Sequence, residues 1–210
     1  GFSNQEDVIN LGPGVYEAVL IDDKGCVQNE FIEIIAPDTL KVDFALSEYL
    51  NGFNISCFGS EDGSAEAIPV NGVAPFSFVW IGPNGYGPVF DNPIEDLEAG
   101  EYSVFVEDDD GCTAVESVML VQPPELEIAL IAETINGNNI SCQGESDGSI
   151  NLIFEGGTAP ITISWTGPDG FTSSDEDLFN LAAGEYCVTV TDDNNCSQNQ
   201  CITLTEPDAR

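Results

Sequence analysis

A sixteen-residue phrase recurs three times in this chain, and that repetition limits its fold more than any other feature. It reads LGPGVYEAVLIDDKGC from Leu11 to Cys26, LEAGEYSVFVEDDDGC from Leu97 to Cys112, and LAAGEYCVTVTDDNNC from Leu181 to Cys196. Each copy opens Leu-x-x-Gly-x-Tyr, alternates apolar and polar residues, turns through an Asp-rich stretch and ends on cysteine. In the last copy Tyr186, Val188 and Val190 share one face, and Thr189 and Thr191 share the other. That period of two is the pattern of a half-buried strand.

The copies sit one sandwich apart. Cys57 to Cys142 and Trp80 to Trp165 are both 85 residues, a length that suits one β-sandwich and neither a solenoid coil nor an α/β domain. The expected fold is all-β, a tandem array of immunoglobulin-like or PKD-like antiparallel sandwiches. Residues 1–38 are expected to be the end of one module, 39–123 a complete module and 124–210 a second. A chain continuing upstream is expected, because the first copy lacks its earlier strands. Pro37, Pro123-Pro124 and Pro207 fall at matching places, where a residue without an amide hydrogen stops strand pairing.

Within a module the order is consistent. Leu40, Val42, Phe44 and Leu46 alternate, as do Leu126, Ile128 and Leu130. Asn51-Gly52 and Asn136-Gly137 suit tight reversals. An Ile-Ser-Cys strand end and an acidic Gly-containing turn follow. Phe76, Phe78 and Trp80, matched by Ile161, Ile163 and Trp165, form an inward stripe whose tryptophan fills the centre. Leu-x-x-Gly-x-Tyr suits a tyrosine corner, and no stretch carries a 3.6-residue apolar stripe, so almost no helix is expected. In the leading fragment Tyr16, Ala18 and Leu20 are expected to face inward.

Composition narrows the function. Thirty-eight acidic residues against three basic ones, with no histidine, give a net charge of −35. Such a surface repels nucleic-acid phosphates and anionic lipid, so neither nucleic acid nor membrane insertion is expected. The charge supports solubility in salt-rich surroundings, or capture of Ca2+ by clustered carboxylates. Seven cysteines at repeated positions indicate disulfides and an oxidising, extracytoplasmic location.

The combination SCxGxxDGS, a Gly-x-Ala-Pro turn (written GVAP and GTAP here) before a strand ending in Trp, and LxxGxYxVxVxDxxxC resembles the SprB repeat. The resemblance covers both complete modules, and its terminal part fits residues 11–26. It implies a very large secreted surface protein of a Bacteroidota-type bacterium, exported by the type IX route and serving adhesion or gliding motility. It carries no ligand pocket and no binding residues. Cys187 and Cys201 depart from its pattern.

Those two replace Ser103 and Ser117, and counting outward from the turn makes them opposite each other, so a cross-strand disulfide is expected. Cys57 with Cys112, and Cys142 with Cys196, are favoured if the Asn-Gly pair reverses the chain. If the first strand runs straight through, Cys57 reaches Cys196 of the next module instead. The partner of Cys26 is expected outside this chain. The intramodule geometry would bring Glu145 and Asp147 close to Asp192 and Asp193, with Glu61, Asp62, Asp108, Asp109 and Asp110 as the earlier set, a candidate Ca2+ site without the usual D-x-D-x-D-G loop. Asn54, Asn139 and Asn195 match N-glycan sequons, and Thr39 follows Asp38 in an O-glycosylation pattern.

Catalysis is not expected: no histidine supplies a base, the cysteines have structural partners, and the acidic residues are scattered over turns. The leading reading is a structural stalk or filament repeat of a surface adhesin. Its partners would be the neighbouring repeats, with lateral assembly into a fibre or a surface or glycan ligand beyond them. The second reading is a carbohydrate-binding module using Tyr86 and Phe171, the aromatics expected to be partly exposed.

Overall fold

A computed structural model describes residues 7–135 and 137–209. The first fragment is one antiparallel hairpin, β1 (Gly14–Ile21) with β2 (Val27–Ile34), pairing Gly14 with Ile34 and Ile21 with Val27. Among the described residues no second sheet lies against it. Ala18 and Leu20, expected inward, are exposed, and only Tyr16 and Ile34 of its strands are half-buried. Alternation alone specifies a face; burial requires something to cover it.

The next module has six strands: β3 (Lys41–Leu46), β4 (Gly63–Val70), β5 (Ser77–Ile81), β6 (Ile94–Leu97), β7 (Gly100–Glu107) and β8 (Thr113–Leu120). They form two three-stranded sheets, β3-β4-β6 and β5-β7-β8. The last module repeats this with β9 (Glu127–Ala132), β10 (Gly148–Glu155), β11 (Thr162–Thr166), β12 (Thr172–Ser173), β13 (Leu178–Leu181), β14 (Gly184–Thr191) and β15 (Ser197–Leu204). Its sheets are β9-β10-β13 and β12-β11-β14-β15. Every pairing is antiparallel, and the described residues contain no α-helix, only three short 3-10 turns.

Each module has its own core, and the two share no residue. Trp80, Tyr102, Val104, Val106 and Leu97 fill the first with Ile55, Ala65 and Ala67; Trp165, Tyr186, Val188, Val190 and Leu181 fill the second with Ile140, Ile150 and Leu152. Both tryptophans are fully buried. The tyrosine hydroxyls close corners four residues back, Tyr102 donating to Glu98 O and Tyr186 to Ala182 O at 3.1 Å each, and Tyr16 to Gly12 O at 2.7 Å. Gly63 and Gly148 begin their strands where a Cβ would strike Ile55 and Ile140 at 2.5 and 2.7 Å. The Asp-Gly-Ser signature thus lets the chain lie directly on the base of the core.

Candidate functional site

The hairpin-turn cysteines are presented by one carboxylate each. Asp108 Oδ1 accepts the amides of Cys112 at 2.7 Å and Asp110 at 3.1 Å, while its Oδ2 accepts that of Val73 at 3.0 Å. Burial opposes its charge, but these amides outweigh burial and hold the carboxyl below its ordinary value. Asp192 holds the amides of Cys196, Asn194 and Thr158 at 2.8, 3.0 and 2.8 Å, and Asp22 those of Cys26 and Lys24 at 2.8 and 2.9 Å. Three turns, one scaffold.

The Ser-Cys turns are built as uniformly. Asp62 accepts the Ser56 amide at 3.0 Å and also its hydroxyl, and Asp147 accepts the Ser141 amide at 3.1 Å. Gln122 reaches the amide of Gly59 at 2.8 Å, as Glu206 reaches that of Gly144 at 2.7 Å. Asn54 donates to Ser47 O at 2.9 Å and accepts from Val121 N at 3.1 Å; Asn139 donates to Glu133 O at 2.9 Å and accepts from Thr205 N at 3.0 Å. The sequon asparagines Asn54 and Asn139 are therefore engaged in the fold, and Asn54 is buried, whereas the third, Asn195, is exposed. Their pairing with distant backbone is what the sequence left unread, although the recurrence of Asn-Ile-Ser-Cys marked the place.

These contacts decide the cysteine pairing. The Ser-Cys turn lies beside Val121 and Gln122, just past the end of β8, whereas Cys112 lies just before its start. Eight residues of strand separate them, about 27 Å, against the roughly 7 Å that a bridge tolerates. The intramodule pairs Cys57–Cys112 and Cys142–Cys196 do not form. Cys57 is joined to Cys196 of the following module, with Cα atoms 5.6 Å apart and a sequence separation of 139. The Asn-Gly turn does reverse the chain: Asn51 and Gly52 take φ of 60° and 78°, and Tyr49 N donates to Phe53 O at 2.8 Å. The reversal lasts only until Ile55 plugs the base of the core, too few residues to climb back. Asn136 lies outside the described residues; Ile135 and Asn138 bridge across it.

The bridge sits at a shallow cleft between the modules lined by Phe58, Leu126, Asn195 and Gln198. Cys26, Cys112 and Cys142 are free and exposed. A second bridge joins Cys187 to Cys201, which face each other across β14 and β15. The counterparts Ser103 and Ser117 face each other likewise, their hydroxyl oxygens 2.7 Å apart.

The same topology separates the proposed calcium ligands. Glu145 and Asp147 stand at the end of their module opposite Asp192 and Asp193, and Glu61 and Asp62 opposite Asp108, Asp109 and Asp110. Asp62, Asp108, Asp147 and Asp192 are occupied by backbone amides. Among the described residues no three His, Cys, Asp or Glu side chains converge as a metal site would require. Tyr86 and Phe171 are half-buried, set edge-on against Tyr102 and Tyr186 with ring centroids 5.4 Å apart in both modules. Both are partly exposed, as expected, and pack against the core clusters of their modules. Thr39 is exposed, and its carbonyl accepts from Asn71 at 3.3 Å.

Fold and junction define a class: tandem immunoglobulin-like sandwiches, stapled to one another by a disulfide between turns. Solved structures to which the chain shows some similarity include an amphioxus IgVJ-C2 molecule (15% identity, 70% of this chain and 98% of that chain, TM-score 0.35) and the N-terminal eight Ig domains of Down Syndrome Cell Adhesion Molecule isoform 1.30.30 (14%, 93% and 28%, TM-score 0.46). The N-terminal four Ig domains of Dscam1 isoform 4.4 match at 15% identity over 88% and 52%, TM-score 0.31. No curated protein is similar in sequence. A particular family model matches as well: the SprB repeat, over residues 53–85 and 134–170, one stretch in each complete module. The family match and the two disulfides fit an extracellular protein, and no described helix is long and apolar enough to cross a membrane.

Proposed function

We propose that this chain is a load-bearing section of the stalk of a large secreted surface adhesin, exported by the type IX route and serving adhesion or gliding. Its partners are the adjoining modules of the same polypeptide, and the adhesive surface lies elsewhere. The observation that carries this reading is the Cys57–Cys196 bridge, which spans the junction instead of stabilising one module. A staple there holds neighbours together when the chain is pulled from its ends. The proline joint Pro123-Pro124 adds a stretch with no amide hydrogens for strand pairing.

Pulling single molecules by their ends tests this. With the bridge intact, the residues between Cys57 and Cys196 are withheld from extension. Complete unfolding is then expected to be shorter by about 490 Å than in reductant, at roughly 3.5 Å for each residue of the 139-residue separation. Without reductant, Cys57→Ser should recover all but about 50 Å of that extension, the share that the 14-residue Cys187–Cys201 separation still withholds at roughly 3.5 Å per residue. A difference of only about 50 Å between oxidised and reduced chains, the share of the 14-residue Cys187–Cys201 separation alone, would refute a load-bearing junction.

A further inference from the structure

Each free cysteine matches one half of the bridge already formed. Cys142 occupies the place of Cys57 one module on. Its turn is held by the same devices: Asp147 for Asp62, Glu206 for Gln122, Asn139 for Asn54. Cys112 and Cys26 occupy the place of Cys196, on turns held by Asp108 and Asp22. Both kinds of half are exposed. They do not complete each other within this pair, because Cys112 lies at the outer end of one module and Cys142 at the outer end of the other.

We propose that the SprB-type array is linked by a continuous ladder of such bridges: Cys142 takes the hairpin-turn cysteine of the module strung after it, and Cys112 and Cys26 each take the Ser-Cys cysteine of a module strung before. The inference rests on the equivalence of the modules and holds whether or not the array is a stalk. In each rung two thiols lose two protons and two electrons to a disulfide oxidant, which is reduced to two thiols, and one S–S bond forms. The carboxylate of Asp108 beside Cys112, then burial, raise that thiol's pKa and slow its reaction with casual disulfides. A partner seated opposite is favoured over a random one.

The ladder has a mechanical consequence. From Cys112 to Cys142 the chain is 30 residues long: β8 running the length of one module, a link containing Pro123-Pro124, then β9 running along the next. These strands are already extended, and their full reach is about 100 Å. Each rung passes tension from the end of one such strap to the start of another. In a completed ladder the load follows straps that have little length left to yield, and the sandwiches beside them are spared unravelling.

The test adds one module to the whole chain, a second copy of residues 125–210 placed after residue 210. Both chains are folded in a glutathione redox buffer, alkylated and mapped without reduction. In the 210-residue chain Cys26, Cys112 and Cys142 are expected to be alkylated. In the lengthened chain alkylation of Cys142 should fall at least about tenfold, with a new peptide joining it to the added copy of Cys196. Changing the added copy of Cys196 to Ser should restore alkylation and leave Cys57 joined to the original Cys196, which shows that folding is intact. Continued alkylation of Cys142 in the lengthened chain, or its appearance in peptides with Cys112 or with Cys142 of another molecule, would overturn the ladder.

Discussion

Asn54 and Asp108 hold opposite ends of one sandwich by the same means, a side chain satisfying backbone groups that no strand supplies. Asn54→Ala strips partners from Ser47 O and Val121 N at a buried position, and about 1–3 kcal/mol of stability should be lost in urea unfolding. Asp108 adds a pH signature. Its carboxyl sits below the ordinary 3.8 in the folded chain, so its contribution is present above that value and fades as pH falls through the folded one. Asp108→Asn should therefore be less stable than wild type at neutral pH, and the difference should shrink in unfolding curves taken below about pH 3.8. The two tryptophans offer a matched pair: Trp165 Nε1 donates to Asp175 O at 2.9 Å, while Trp80 Nε1 is buried without a partner among the described residues. Trp165→Phe should cost about 1 kcal/mol more than Trp80→Phe, measured by denaturant unfolding of each variant.

Among elements, the strands were legible because alternation, the Leu-x-x-Gly-x-Tyr corner and the spacing of identical phrases act locally. Tyr102, Val104 and Val106 lie inward as their period demands, and Cys187 meets Cys201 because counting from a hairpin turn fixes register. The height of the Ser-Cys turn was not legible. It depends on Asn54 reaching Val121 and on Gln122 reaching Gly59, contacts 67 and 63 residues apart that leave no local pattern. Misplacing that turn mispaired two disulfides and gathered carboxylates that stand at opposite ends. The partial exposure of Tyr86 and Phe171 was legible from their place after a Pro-Gly loop, whereas their packing against Tyr102 and Tyr186 was not. At this scale, Cys187→Ser with Cys201→Ser restores the pair seen at Ser103 and Ser117. It should cost up to about 3 kcal/mol in unfolding of the last module and leave the preceding module's transition unchanged.

Taken whole, the molecule is a string of small cores whose surfaces repel one another, with a net charge of −35 over 210 residues. Repulsion extends such a string, and the proline links keep its joints out of the sheets, but neither keeps two modules in register under load. A covalent bond between turns does, and it exists only because each sandwich carries its Ser-Cys cysteine and its hairpin-turn cysteine at opposite ends. Peptide mapping of the oxidised, alkylated chain under non-reducing conditions tests that arrangement most directly. The expected product joins Cys57 to Cys196, with Cys112 and Cys142 alkylated; a product joining Cys57 to Cys112, or Cys142 to Cys196, would contradict it.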